Sequence, residues 1–425
     1  LIIKHLTDNK TFVPLGIPAF SGTPENKNIE FEIEITKNDI DDFQVEFLYD
    51  NKVIQTYYSG RQTLDEVVIT AKGSGNSSNS NTANNQNSQS NYPKGKYNLK
   101  WDGFDSNGIY DSTIFTTGKL KARIKGRRNG KEKTAESSEF AFEYKEVKWV
   151  DTKIDKNTKR IDVTLRVNLI DGGAKGIECK NIAGSIKEGI PSYTKCPWDK
   201  IPKKNLTHGT PLKTQTKSFK DLEQLALDGL NYYWGRNSNH FIAKNVNING
   251  ELYEVFINTI NTTENAMDDV NLVFNTNNNW MRSGNPGTVE DPISFVGNIV
   301  SREAICYNVG YIYEYYYKDN WDYQTTNNED KEFKETSAHE IGHTILKAYG
   351  GTFYSYGHKG SVNTITQKQK SSAPSFPISG EIDIMPYLKD NKYGSKRRQP
   401  NVYQRLVAAQ KDVLSLIWLT KLDLK

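Results

Sequence analysis

Apolar and polar positions alternate in short runs between residues 30 and 148, as in Phe31-Glu32-Ile33-Glu34-Ile35, Phe43 to Tyr49, Val53 to Tyr58 and Phe140 to Tyr144. A period of two puts one face of each run into a core and the other into water, and Asp/Asn/Gly turns separate the runs. The pattern predicts an antiparallel β-sandwich over residues 1–148. Gly73 to Asn91 is nearly pure Gly/Ser/Asn/Gln, too poor in apolar surface to order itself, and reads as a disordered insertion 73–91. One sandwich with an inserted loop is preferred to two units, because the strands on either side are few.

The pattern changes after Lys148. Ile161 to Leu169 alternates strongly enough for a strand, and the Pro/Lys-rich segment 191–217 reads as surface loop, so 149–218 is a strand-containing connector. Phe219, Leu222, Leu225, Ala226 and Leu230 then mark an amphipathic helix. Strand-like runs follow at Phe241 to Ile248, Leu252 to Ile257, Val270 to Phe274 and Ala304 to Tyr317. A second helix is expected from the acidic start Asn327-Asn328-Glu329-Asp330, through the stripe Phe333, Ala338, Ile341, Ile345 and Leu346, to the stop Gly350-Gly351. A last helix is expected from Val402 to Leu419. Residues 219–425 thus form the third region.

That second helix contains His339-Glu340-Ile341-Gly342-His343. Residues four apart share a helical face, so His339 and His343 are candidates to bind one zinc while Glu340, one residue round, reaches a water beside it. Three of the six histidines of the chain lie between 339 and 358. A catalytic zinc needs a third protein ligand. His358 is the favoured candidate, after a loop at Thr352 to Gly357, with Glu381 and Asp383 as carboxylate alternatives. Zinc acts by activating water and polarising a carbonyl; Glu340 serves as the general base. Tyr387 is the candidate for stabilising the oxyanion, with Tyr356 as the weaker one.

Ile384-Met385-Pro386-Tyr387 makes this region resemble the metzincin clan of zinc proteases. There an HExxH helix is followed by a third histidine and by a tight turn whose methionine lies beneath the metal. In the astacin and serralysin branches a tyrosine two residues after that methionine approaches the metal. The resemblance assigns Met385 to the turn and Tyr387 to the second role. The chain departs from the longer HExxHxxGxxH pattern, having Leu346 where that pattern has glycine and Tyr349 where it has histidine. Residues 215–420, with His358-Lys359-Gly360-Ser361 and Gly380-Glu381-Ile382-Asp383-Ile384-Met385, are more similar to divergent HExxH metallopeptidase domains at the C-terminal ends of bacterial secreted and polymorphic-toxin proteins.

Trp101-Asp102-Gly103-Phe104-Asp105-Ser106-Asn107-Gly108 and Thr117-Gly118-Lys119-Leu120 resemble the immunoglobulin-like domain of flagellar hook-capping proteins. A calcium-binding loop is the alternative for the first segment. Together the resemblances imply an N-terminal all-β immunoglobulin-like sandwich and a C-terminal α+β zincin domain. They imply a zinc-dependent endopeptidase acting on a protein or peptide substrate, a bacterial effector or toxin that is secreted or delivered into a target cell. A secretion-apparatus component or an immunity protein would be its partner. Two alternatives are a peptidoglycan endopeptidase and a non-catalytic adhesion module with a structural metal.

Charge narrows the partners. The formal net charge is +4 with signs well mixed. Lys203 to Lys217 and Lys396-Arg397-Arg398 lack the interleaved aromatics of a nucleic-acid surface and read as solvated faces. No stretch approaches the roughly 18 apolar residues of a membrane span. Cys179 and Cys196 are candidates for one disulfide, leaving Cys306 free, although reduced buried thiols fit the count equally. Leu1-Ile2-Ile3 is too short for a signal peptide, and without an initial methionine a preceding targeting or delivery segment is expected.

Overall fold

The computed structural model describes residues 1–6, 10–59, 70–72, 92–285, 303–313, 320–323, 326–389 and 401–425. The 73–91 insertion, Lys396-Arg397-Arg398 and the far end of the Ala304 to Tyr317 run lie outside the described residues. The chain is β-rich and divides into two compact units. One comprises residues 1–163, 247–253 and 416–425, the other residues 164–246 and 254–415. Within the stretch 149–218 the boundary between the two units falls in the strand Arg160–Lys175, between Val163 and Thr164.

The first unit contains two four-stranded antiparallel sheets. Gly95–Trp101 lies between Ile29–Ile35 and Thr70–Lys72, with Ile2–His5 outermost beside Ile29–Ile35. In the other sheet Leu120–Arg128 and Asp42–Tyr49 are central, flanked by Lys131–Glu136 and Lys52–Tyr58. Aromatic rings join the sheets. Phe47 stacks on Trp101 at 4.2 Å between centroids and meets Phe31 at 4.9 Å, all three fully buried, which gives the alternating pattern its apolar destination. The turn after Trp101 uses its acids locally. Asp105 Oδ1 accepts from the amides of Asn107 and Ile109 at 2.9 and 2.8 Å, and Asp102 pairs with Lys156 at 2.6 Å. The chain's last strand, Leu422–Leu424, pairs with both Phe142–Tyr144 and Thr11–Phe12.

In the second unit Asp269–Asn275 pairs in parallel with both Arg160–Lys175 and Ala304–Asn308. Two helices, Phe219–Trp234 and Thr326–Gly350, pack closely against each other. The contact is tight at Gly229, where a Cβ would fall 2.2 Å from the Lys334 carbonyl oxygen. Nearby, Trp234 Nε1–H donates to the Ala338 carbonyl at 3.0 Å. Ser218 starts the first of these helices, its hydroxyl and the Asp221 carboxylate each taking the other's amide, at 3.2 and 2.7 Å.

Two expected elements are shorter than their sequence pattern suggests. Of Phe241 to Ile248 only Val246–Ile248 is strand, because Asn245 takes a left-handed backbone at φ +59°. The helix expected from Val402 to Leu419 is broken into Val402–Arg405 and Gln410–Trp418. Between them Leu406–Val407 pairs in parallel with Ile382–Asp383, and Ala408 gives its amide to Tyr233 at 2.7 Å and its carbonyl to Arg236 at 3.2 Å. Those bonds satisfy the backbone outside a helix, and apolar spacing alone does not encode them. Cys179 and Cys196 are joined in a disulfide, and Cys306 is buried outside any disulfide among the described residues. Among the described residues no helix is long and apolar enough to cross a membrane.

Candidate metal centre

The apolar stripe foreseen for the Thr326–Gly350 helix is buried throughout, from Phe333 to Leu346. This fixes the rotation of the helix, so that His339 and His343 sit on the same side, with ring centroids 4.9 Å apart. Gly351, at φ +81°, ends the helix in a backbone that favours glycine. Thr352 to Gly357, expected as a loop, contains a short helix at Thr352–Tyr356. His358 and Lys359 then turn the chain back with two successive left-handed residues, at φ +47° and +57°. The reversal brings His358 within 4.6 Å of His343 and 5.3 Å of His339, ring centre to ring centre.

The three imidazoles are buried, and one nitrogen from each lies within 4.8 Å of the others'. Each Nδ1 is engaged by the protein. His339 Nδ1 lies 2.7 Å from the Ile384 carbonyl, and His358 Nδ1 lies 3.1 Å from the Tyr356 carbonyl. His343 Nδ1 meets Ser355 Oγ at 3.2 Å, a hydroxyl whose proton is already given to the His343 carbonyl at 2.7 Å. These acceptors set the tautomer with the proton on Nδ1 and leave each Nε2 a lone pair. The Nε2 atoms of His339 and His358 are buried with no hydrogen-bond partner among the described residues. Two orphaned lone pairs in a cluster of three buried histidines fit a bound metal ion.

Neither carboxylate alternative joins the cluster. Glu381 accepts two bonds from the Arg236 guanidinium, at 3.0 and 2.8 Å. Asp383 pairs with Lys359, while its other oxygen accepts from the Met385 amide at 3.1 Å. Met385 is fully buried beneath the helix. A Cβ at Gly342 would lie 2.7 Å from Met385 Sδ and 2.8 Å from the Trp234 ring. Gly342→Ala should therefore destabilise the chain by about 1–2 kcal/mol in urea unfolding, the overpacking exceeding the helical preference for alanine.

His339 lines a cleft of about 500 Å³, whose walls also include Glu340, Tyr387, Arg282, Trp280 and Phe376. No family model, curated protein or solved structure matches the chain. Glu340 is part-buried at the cleft wall. Burial raises its carboxyl above the usual carboxylate range, opposed by the nearby His339 and Arg282 charges and a bond from the Asn285 amide. Burial also lowers His343 and His358 well below ordinary imidazole, assisted by the charges of the neighbouring histidines, which favours the neutral form able to hold a metal ion.

Of the two tyrosine candidates, Tyr387 faces the cleft, its ring 3.9 Å from that of His358. Burial foremost, then the Glu340 charge, keeps its hydroxyl protonated beyond the usual phenol range. Tyr356 packs beside His343 at 5.8 Å and contributes its carbonyl to His358. Sequence reading missed Arg282, whose Nη2 donates to the Tyr387 hydroxyl at 3.4 Å. The Arg282 segment runs beside the Ala304–Asn308 strand, with Gly284 and Ala304 exchanging two bonds of 2.9 Å. A lone cation in an Asn-rich loop was the only local signal. Ser355, which orients His343, carried none.

Proposed function

We propose that this chain is a zinc-dependent endopeptidase whose metal is held by His339, His343 and His358. The observation that carries the reading is the convergence of three buried, Nδ1-anchored imidazoles, one of which, His339, lines a cleft together with Glu340, its neighbour on the same helix. When bound, zinc supplies Lewis-acid polarisation of the scissile carbonyl and lowers the pKa of a water. Glu340 takes the proton of the attacking water and delivers it to the leaving amine. Tyr387, still protonated, donates to the oxygen on which negative charge develops, and Arg282 holds that hydroxyl in place. Trp280 and Phe376 supply apolar surface along the cleft for the peptide.

On this reading the second unit is a metzincin-like zincin domain with Met385 as its turn methionine. The first unit is an immunoglobulin-like adaptor that docks to a delivery apparatus, and the protein is a secreted or injected bacterial effector with an immunity protein as its counterpart. A purely structural metal is disfavoured because such sites are closed and often rich in cysteine, whereas this trio contains no cysteine and its His339 lines a cleft beside the Glu340 carboxylate.

The test is a survey of new protein N-termini in a cell extract treated with zinc-loaded wild type or with Glu340→Gln. Termini made only by wild type support the reading. Their absence, with zinc bound, defeats peptide-bond hydrolysis in proteins and turns attention to wall cross-links. With a cleaved peptide in hand, Tyr387→Phe should lower kcat about 100-fold with KM and zinc content nearly unchanged, the signature of a donor used chiefly in the transition state.

A further inference from the structure

Between Asn181 and Lys195 no side chain is buried. This stretch is an antiparallel hairpin, Lys180–Ile182 against Tyr193–Lys195, closed by the Cys179–Cys196 disulfide. Its base is anchored. Trp198 packs with Ile201, Ile312, Trp321 and Tyr323, and Asp199 accepts the Cys196 amide at 2.6 Å. Its tip is an ordered turn, in which Ser185 O takes the amides of Glu188 and Ile190 at 3.2 and 3.0 Å. Gly184 passes so close that a Cβ would fall 2.2 Å from the Ile190 carbonyl oxygen.

That ordered turn holds apolar side chains out in water. Ile186 is 101% exposed, Ile190 47% and Tyr193 51%. Tyr193 sits opposite Ile182 in the ladder, so the two share a face. A hairpin without a core has no folding reason to display isoleucines at its end; an exposed apolar group on a rigid mount marks a contact surface. The surrounding charge says what it contacts. From Lys175 to Lys204 seven lysines, all exposed, stand against Glu178, Glu188 and Asp199.

We propose that this hairpin is a membrane-docking element, inserting Ile186 and Ile190 into the interface of an anionic bilayer while the lysines lie among the headgroups. A projecting convex tip suits a fluid partner that moulds around it, whereas a protein partner would need a matching hollow. Apolar insertion combined with basic residues is the pairing that yields stable peripheral binding. Docking at an interface is distinct from crossing a membrane and needs no helix.

Flotation of the full chain with vesicles tests it. The wild type should partition onto mixed phosphatidylcholine and phosphatidylserine vesicles, much less onto phosphatidylcholine alone, and less as salt rises. Ile186→Asp should weaken partitioning about tenfold or more, since burying one such side chain accounts for that much, with an unchanged circular dichroism spectrum. Ile186→Trp should bind and shift its emission to the blue on the mixed vesicles. Failure to bind any vesicle, equal binding by Ile186→Asp, or an unshifted tryptophan overturns the proposal. So does lipid-free self-association abolished by Ile186→Asp, which would make a second copy the partner.

Discussion

Glu340→Gln is expected to lower kcat by about 10³–10⁴-fold while leaving zinc stoichiometry and unfolding midpoint almost unchanged. The two halves of that expectation come from different features of the site. Glutamine has nearly the shape of glutamate and keeps an oxygen for the Asn285 amide, so packing survives. The metal trio consists of His339, His343 and His358 without this carboxylate, so binding survives as well. Only the capacity to take and return a proton disappears. His343→Ala should behave differently, lowering zinc affinity together with activity. Zinc content by mass spectrometry beside single-turnover cleavage separates the two classes. Full activity in Glu340→Gln would move the protein to the non-catalytic reading, because the proposed proton transfer rests on this carboxylate.

How much of the site could be read in the chain depended on how local each constraint is. His339, Glu340 and His343 were legible because a helix converts spacing of four residues directly into a shared face. His358 was reachable by chemistry alone, as the only other histidine near, although its geometry comes from two left-handed residues that no pattern announces. The alternating runs around Phe31, Phe47 and Trp101 gave the β-rich first unit, since period-two burial is local too. The break at Leu406–Val407 was not legible, because the bonds that stabilise it reach Ile382, Tyr233 and Arg236 from elsewhere in the chain. Arg282 was hidden for the same reason. Its role depends on the loop running back along the Ala304–Asn308 strand toward Tyr387, a long-range pairing with no periodic trace.

Lys359→Met should destabilise the zinc-free protein by about 3–5 kcal/mol at pH 8, the range for removing one partner from a buried ionic cluster. The Lys359 ammonium sits between Asp383 and Asp412, with side chains only 16, 24 and 1% exposed. Its bond to Asp412 is 2.7 Å. Burial foremost, then the Asp383 charge, pushes the Asp412 carboxyl up to about 6 even with Lys359 opposing that rise. The sign of the pH dependence follows. A carboxyl whose folded pKa exceeds its unfolded value contributes stability that is complete below the unfolded pKa and lost as pH rises through the folded one. Without Lys359 the folded Asp412 carboxyl holds its proton still more strongly, so the variant's deficit should shrink at pH 5 and widen toward pH 8. Lys359→Met combined with Asp412→Asn should recover part of the loss at pH 8 by removing the repulsion. The cluster also ties the His358 turn to the Met385 turn, since Asp383 holds Lys359 with one oxygen and the Met385 amide with the other. Zinc affinity should therefore fall along with stability, whereas an equal deficit at pH 5 and pH 8 in urea unfolding would rule out the charge account and leave only lost packing.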